Sequence, residues 1–600
     1  MRSVLWSIVS TGMVWTGCAA SPAAADPKPK VVGWAQKRCS ERLGRGLVVL
    51  RVEGNRVYLS WRLLTDDPKE TGFNVYRSVG ADQPIKLNKE PITKTTDFTD
   101  ASPPASGEAT YVVRPAVEGK EGPPSERATV RLDGKTDAFL TLKLAGPYTF
   151  QKVGIADLNG DGTYDFVIKQ PNSNIDPYER YWHRSEGTYK IEAYLSDGTF
   201  LWRNDLGWSI EQGIWYSPYV VYDLDGDGKA EVAVKTGEGD PRDPDGRVTS
   251  GPEYLSIWDG MTGKQIARVP WPTREGFPGS REVAYNYSCR NQLGITFLDG
   301  KTPCLIVARG TYNIMKVVAY QYHGGQLKEL WCWDNRQEKD VPLYRGQGAH
   351  FMHAVDIDGD GRDEVLLGSA VLDDNGVGLW STGLGHPDHF YVGDIDPTRP
   401  GLEIYYGIER SHTENGMCLV EAKTGRILWG LKEQTYHIHA SGLCADFDPN
   451  HVGMECYGGE AEKEPRGKNR RWLFSAKGEL LATEKTYDVG LSPRAVYWDA
   501  DPYRELLIGA AISKFGGPVL TKPIEGHQAA WADVLGDWRE EIITSVPGEL
   551  RIYTTTIPAT DRRVCLMQDP IHRIDVAHLS MGYPQPPMTS YCPSATAGNR

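Results

Sequence analysis

The chain has 600 residues, 40% of them hydrophobic and 24% charged, the balance of a soluble globular protein long enough to bury several cores. Its 66 basic and 79 acidic side chains give a net charge of −13, and no five basic residues stand in a row. That excludes the clustered phosphate neutralisation on which nucleic-acid binding depends. The 65 glycines and 18 tryptophans indicate many tight turns between packed sheets rather than helical bundles.

The first 25 residues read as a signal peptide: Arg2, an apolar stretch over 4–14, and Ala23-Ala24-Ala25 before Asp26. A lipid anchor on Cys18 is the competing reading. Either way the protein is expected to be exported, secreted or held in the periplasm or at the cell surface. No later run of about 18 apolar residues predicts a membrane span. The ten cysteines are scattered without a Cys-x-x-Cys pair, which disfavours zinc ribbons and redox motifs.

Residues 31–135 alternate apolar and polar in short runs (56–63, 72–77, 110–115 and 128–132), with Trp61 inside the first and Asp, Gly and Pro clusters between them. This predicts a fibronectin type III-like β-sandwich. Beyond it, over 138–598, one unit recurs: an apolar strand, an acidic glycine turn, a second apolar strand. It reads VGIADLNGDGTYDFVIK from Val153, VVYDLDGDGKAEVAVK from Val220 and MHAVDIDGDGRDEVLLG from Met352, with five shorter or degenerate copies from Leu293, Phe390, Gly442, Val496 and Ala530. A second strand–turn–strand element follows several of them, as in SIWDGMTGKQIARV, LVEAKTGRILWG and LFSAKGELLAT. Two hairpins make a four-stranded blade, so the prediction is an all-β chain with an eight-bladed β-propeller, taken as a monomer.

The acidic turns carry the chemistry. Asp157, Asn159, Asp161 and Asp165 stand at positions 1, 3, 5 and 9 of a loop with glycine at position 6, and Asp223, Asp225, Asp227 and Glu231, then Asp356, Asp358, Asp360 and Glu364, repeat it. Alternate oxygens on a tightly turned loop converge on one point, the ligand pattern of calcium, and flanking strands rule out an EF-hand. Asp394, Asp396 and Glu403, Asp446, Asp448 and Glu455, and Asp533, Asp537 and Glu541 are reduced versions of the site. Asp499, Asp501 and Glu505 read as a structural turn. His350 precedes the third loop, and His386 and Asp388 lie in STGLGHPDH; a lone histidine is commonly a packed side chain, and calcium prefers oxygen.

Several stretches carry a more specific likeness. ERLGRGLVVL, YLSWRLLTDDPKETGFNVYR, YDLDGDGKAEVAVKT, SGPEYLSIWDGMTGK, STGLGHPDHFYVGDIDPTRPGLE, LGDWREE, LRIYTTTIPATDRRVCLMQDPIHR and YPQPPMTSY resemble the rhamnogalacturonan lyases of polysaccharide lyase family eleven, over almost the whole chain after the leader. The resemblance implies an eight-bladed propeller with several calcium ions. It implies cleavage of an acidic polysaccharide, the pectic backbone of rhamnose and galacturonate, by β-elimination. It also makes His350 and His386, with Asp388, calcium ligands. Elimination needs positive charge on the uronate carboxylate and a base for the C5 proton. Lys169 and Lys235, each ending the strand after an acidic loop, Arg309 in VARGTYN, and Tyr591 near the C-terminus are the candidates for these roles. Three segments depart from the family pattern: Gln151-Lys152 stand for Asn-Asp, Lys169-Gln170-Pro171-Asn172 for Lys-Trp-Asp-Pro, and Lys522-Pro523-Ile524-Glu525 for Asn-Gly-Thr-Lys. They lead to an expectation of shifted specificity, with a non-catalytic carbohydrate-binding propeller as the alternative.

Overall fold

In the computed structural model, residues 28–133, 139–439, 442–461, 465–467, 469–490 and 492–596 are described. The expected leader over 1–25, Cys18 and the outermost residues of both expected domains lie outside these spans. The chain is all-β, with 5% helix, made up of α1 (Arg281–Ser288), α2 (Val341–Tyr344), α3 (Pro570–His578) and three short 3-10 turns. No helix of the described residues is long and apolar enough to cross a membrane. The nine described cysteines form no disulfide.

The N-terminal unit has two antiparallel sheets. One joins Val48–Val52, Arg56–Ser60 and Asp97–Asp100, and the other is built around Gly72–Val79 and Glu108–Val117. Trp61, Phe73, Val75, Tyr111 and Val113 are fully buried between them. Two of these strands escape the sequence pattern: Val48–Val52 follows a glycine-rich stretch, and Asp97–Asp100 has an acid at each end.

Eight sheets of three or four strands follow one another along the rest of the chain. In the first, Lys152–Ala156, Asp165–Gln170, Lys190–Tyr194 and Phe200–Asp205 pair in sequence order. The acidic turn joins the first two strands, and the second recurrent element forms the last two. The first strands of neighbouring sheets lie side by side, and α3 packs against five of them. Six of these eight inner strands are buried throughout, which is why they read as unbroken apolar runs (VGIA, YVVY), whereas outer strands such as Gln265–Pro270 hold only exposed and half-buried positions. The series closes on itself. Phe139–Lys143, which precedes the first sheet, supplies the outermost strand of the last one by pairing with Glu549–Tyr553.

One contact recurs between sheets. A tryptophan on the outer strand of one sheet lies against the turn of the next sheet's second hairpin, where a glycine has positive φ. Trp202 faces Gly263, Trp331 faces Gly376, Trp380 faces Gly425 and Trp429 faces Gly478; a Cβ added at any of these glycines would come within 2.4–2.6 Å of the indole. Three of the indoles also donate to a carbonyl of the facing turn: Trp202 to Gly260 (2.7 Å), Trp331 to Asp374 (2.9 Å) and Trp429 to Ala476 (2.9 Å).

Helix α3 was not anticipated by the repeat pattern. It is locally encoded by Asp569, whose carboxylate accepts from the Ile571 and His572 amides, and by Pro570 at the first helical position. Its Arg573 meets Glu41 of the N-terminal segment at 2.6 and 2.7 Å, both side chains buried.

A methyl group at Gly376 would meet both the left-handed backbone (φ 74°) and the Trp331 ring. Gly376→Ala should therefore cost about 1–3 kcal/mol from the backbone alone, read as a fall in unfolding free energy on equilibrium denaturation.

Candidate metal centres and active site

The first strand of each sheet runs from one end of the assembly to the other. Pro387–Gly393 is the clearest case, with His386 before it and Asp394 after it, about 26 Å apart at the rise of a β-strand. All the acidic loops thus share one end. There the N-terminal unit docks, with Gly44 N–H donating to Gly162 O and Gly536 N–H to Gly46 O, both at 2.8 Å. The histidines share the other end.

At the loop end, donor oxygens of Asp223, Asp225 and Glu231 lie within 4.8 Å of one another, as do those of Asp356, Asp358 and Asp360. Backbone amides aim them: Asp223 accepts from Gly226 (2.7 Å) and Gly228 (3.0 Å), and Glu231 from Leu224 (2.9 Å). Burial, and then the neighbouring aspartates, push Glu231 up to about 9 and Asp223 to about 6; Glu364 is likewise pushed up to about 9. Oxygen donors in such surroundings fit calcium. Asp227 is exposed at the tip of its loop and accepts from the Lys229 amide (2.8 Å).

The other loops depart from the expected set, each for a visible reason. In the first, Asp157 accepts turn amides as Asp223 does, and the difference lies in Asp165, whose second oxygen accepts from Ser196 (2.8 Å) beside the Leu158 amide on the first (2.9 Å). Asp394 accepts from Cys592 N–H (3.1 Å), Asp396 from the Thr398 hydroxyl (2.6 Å), and Glu403 from the Asp396 amide (3.1 Å). Asp448 is taken by His451 (3.0 Å), but Asp446 and Glu455 each keep a buried oxygen without a partner, which fits a cation there. In the last loop the Arg539 guanidinium grips Asp537 at 2.9 and 2.6 Å, and Glu541 accepts two amides and the Thr554 hydroxyl; only Asp533 keeps a free buried oxygen. The expected three-ligand site at Asp533, Asp537 and Glu541 is thus an internal ion pair. At Asp499, Asp501 and Glu505 the ammonium of Lys514 sits 2.6, 2.7 and 3.7 Å from the three carboxylates, in agreement with a structural turn.

At the opposite end, His386 Nδ1 donates to Gly348 O, which turns Nε2 inward. That atom lies 3.2 Å from His350 Nε2 and 3.4 Å from Asp388 Oδ1, and His350 Nε2 lies 3.6 Å from the same oxygen. The other Asp388 oxygen is 3.5 Å from His437 Nε2, and Glu409 is 3.8 Å from His386 and 4.0 Å from His437. The structure thus brings His350, His386 and Asp388 together as expected and adds Glu409 and His437. Neither lies in an acidic turn or near another ligand in sequence; the returning strand Glu403–Ile408 and the loop before the sixth sheet deliver them. Glu460, buried, fixes that loop by accepting the Tyr436 (2.9 Å) and His437 (2.7 Å) amides and is itself held by Arg470 (2.7 Å).

His350, His386 and Asp388 are buried, while His437 and Glu409 are 26% and 32% exposed, so the centre opens on their side. Burial, and then the charge of His386, hold His350 well below the usual imidazole range. Burial alone would raise Asp388, but the hydrogen bonds and charge of the histidines outweigh it and keep the carboxylate ionised. Trp215 and Tyr583 flank His350 at 4.9 and 4.8 Å between ring centroids, and Tyr312 flanks His386 at 4.7 Å. Arg290 lies under Trp215 and Tyr312 and is bound at both nitrogens by Asp176 (2.8 and 2.7 Å).

The four candidates for base and carboxylate binding are placed differently from expectation. Lys169, Lys235 and Arg309 are at the histidine end but buried and engaged. Lys169 donates to the Ser217 carbonyl (3.1 Å) and hydroxyl (3.2 Å). Lys235 meets Glu253 at 2.6 Å, Arg274 meets it at 2.9 Å, and Arg309 binds its other oxygen. Tyr591 belongs to the loop end, since the next residue, Cys592, donates to Asp394; the tyrosine that faces the histidines is Tyr583. Of the segments that depart from the family pattern, Gln151 accepts from the Tyr189 hydroxyl (2.9 Å), Lys152 donates to Leu579 O (3.2 Å) at the end of α3, and Glu525 pairs with Arg551 (2.7 Å).

Two measurements test these assignments. Burial would raise Glu253, but Lys235, Arg309 and Arg274 together bring it down to about 2 from 4.5. A depressed carboxyl stabilises the fold above its unfolded pKa and loses that contribution as pH falls through the folded value. Glu253→Gln should thus cost about 3 kcal/mol at pH 7, and its difference from wild type should shrink as pH falls from 4.5 towards 2; chemical denaturation at several pH values reads it. Lys514→Met empties the Asp499–Asp501–Glu505 turn of its ammonium, so elemental analysis should find one calcium more than in wild type.

Comparison with known proteins is consistent along the whole chain. Residues 38–131 match the family description "Rhamnogalacturonan I lyases beta-sheet domain", and residues 143–596 match "Rhamnogalacturonan lyase family 11, C-terminal domain". The chain is 36% identical to rhamnogalacturonan endolyase YesW of Bacillus subtilis (strain 168), over 92% of this chain and 91% of that one. It is 35% identical to rhamnogalacturonan exolyase YesX of the same organism, over 93% and 95%. The solved structure of the Bacillus licheniformis rhamnogalacturonan lyase PL11 superposes with a TM-score of 0.84 at 34% identity, covering 94% of this chain and 98% of that one. With both of its parts matched and close relatives aligned nearly end to end, the chain belongs to rhamnogalacturonan lyase family 11.

Proposed function

We propose that the protein is a polysaccharide lyase that cleaves rhamnogalacturonan by β-elimination at the centre formed by His350, His386, Asp388, Glu409 and His437. The observation that carries this reading is the gathering of those five side chains into two adjoining groups that share Asp388, one buried and one half-open, walled by Trp215, Tyr312 and Tyr583, in a chain of this family. The eight successive sheets closed around α3 are read as an eight-bladed propeller over 138–598, and the unit before them, over 31–135, as a fibronectin type III-like sandwich. Calcium is assigned to the acidic loops, best at Asp223–Glu231 and Asp356–Glu364, where it would fix the turns. Action on a wall polymer accords with export of the chain.

The elimination passes the C5 proton of a galacturonate, beside its carboxylate, to a base and breaks the C4–O bond to the departing sugar, which leaves protonated as a hydroxyl while a C4=C5 double bond forms. A cation held by the five side chains would supply positive charge to that carboxylate. The rest follows from the chain's own groups. Tyr312 and Tyr583 offer ring faces to sugars, and Trp215, fully buried, helps shield the centre from water. Burial raises both tyrosines far above the usual phenol range, so at neutral pH both keep their protons; Tyr583 can donate to a sugar oxygen, while the Tyr312 hydroxyl lies 3.1 Å from His350 Nε2. Arg290, fixed by Asp176, holds Trp215 and Tyr312 in place and adds a fixed positive charge beneath them. Lys235 and Arg309, paired with Glu253, act from below the surface as buried charges that shape this end, Lys169 donates there to Ser217, and Tyr591 braces the opposite end.

Incubated with rhamnogalacturonan, the purified protein should release unsaturated uronate, followed by ultraviolet absorbance. Asp388→Asn should lower kcat/KM by about 100-fold or more, the scale of losing one preorganised electrostatic group, with little change in melting temperature. Binding without unsaturated product would refute the lyase reading and favour a carbohydrate-binding protein.

A further inference from the structure

The two kinds of centre differ in their donors. The acidic loops offer carboxylate and amide oxygens. The histidine centre offers three imidazole nitrogens and two carboxylates, with donor atoms within 4.8 Å of one another in two groups that share Asp388. Calcium takes six to eight oxygens at about 2.3–2.6 Å, whereas imidazole suits borderline-soft first-row ions. The donor set therefore does not fit calcium.

Two further observations agree. His386 Nδ1 donates to Gly348 O, so its Nε2 faces Asp388 Oδ1 and His350 Nε2, which also lies 3.1 Å from the Tyr312 hydroxyl. An outward Nδ1–H to a backbone carbonyl is the support that metal-bound histidines use. His350 Nε2, His386 Nε2 and Asp388 Oδ1 also form a triangle with sides of 3.2, 3.4 and 3.6 Å. Its centre is about 2 Å from each corner, the length of a zinc–imidazole bond.

We propose that the histidine centre selects a first-row transition-metal dication, of the zinc class, and that calcium is confined to the acidic loops. Asp388 then lies between the buried histidine pair on one side and the half-open Glu409–His437 pair on the other. This inference rests on the proposed location of the active site, but not on the lyase activity.

The test uses the full chain without a histidine tag. The protein is stripped of metal, reloaded with excess calcium and one equivalent of zinc, dialysed against calcium, and analysed for both elements. Wild type should retain about one equivalent of zinc. His386→Ala and His350→Ala should retain less than about a tenth of that while keeping the wild-type calcium content. Asp225→Ala should keep the zinc and lose one calcium. Melting curves in calcium confirm that the histidine variants are folded; if one is not, Asp388→Asn replaces it. Displacement of zinc from wild type by calcium would overturn the proposal, as would loss of one calcium in place of zinc from the histidine variants. Lyase activity is assayed separately: missing unsaturated product overturns the proposed function and leaves the zinc result standing, whereas product formed by a protein whose zinc is displaced overturns only this inference.

Discussion

A tryptophan on the outer strand of one sheet rests on a glycine turn of the next, and the neighbour relation between sheets depends on that contact. The indole comes so close that no Cβ is tolerated at Gly263, Gly376, Gly425 or Gly478, and the same glycines turn the chain through positive φ. A single residue therefore meets two demands, one from the local turn and one from packing between sheets. The indole N–H adds direction, because its acceptor is a carbonyl of the facing turn. Area alone would let neighbouring sheets slide; a directed bond in a fitted notch fixes their relative position.

Once the sheets are locked, charge is sorted along the strands. Every inner strand carries a turn at one end and an opening at the other, and the acidic residues of the repeat collect at the turn end. Carboxylates this crowded and buried need a counter-charge, and the chain meets the need in different ways. Two loops keep several converging carboxylates as a site for a divalent ion. One carries its own ammonium, Lys514, and another its own guanidinium, Arg539. A positively charged side chain does the electrostatic task of a metal without exchanging with solvent, but it gives up the multidentate grip of a cation on several segments at once. The mixture explains why some copies of the repeat keep the full acidic pattern while others have drifted from it.

The histidine end is built on the opposite logic. Its ligands come from three successive parts of the chain, and each is held by backbone or by a buried partner: His386 by Gly348 O, the His437 loop by Glu460, and the aromatic wall by the Asp176–Arg290 pair. Rotamer freedom is removed before any ligand arrives, as an electrostatic site of this kind requires. The cationic trio around Glu253 lies below the same end and is part of its support.

The alternation of apolar strand and acidic glycine turn, repeated about eight times, was enough to specify an all-β chain of successive small sheets, because period-two patterning and turn chemistry are local. The same pattern located the acidic turns, whose carboxylates sit within nine residues of one another. His350, His386 and Asp388 were reached through family resemblance rather than spacing, since nothing local marks a histidine as a ligand. Glu409 and His437 lay beyond reach because only the stacking of one sheet on the next brings them to Asp388. Tertiary structure also decided that Lys235 and Arg309 turn to a buried Glu253 rather than to open space, that Tyr583 and not Tyr591 faces the site, and that Lys514 and Arg539 neutralise two acidic turns. Each of these outcomes depends on which charges are brought together in a low-dielectric interior, and long-range pairing of that kind leaves no trace in the spacing of residues along the chain.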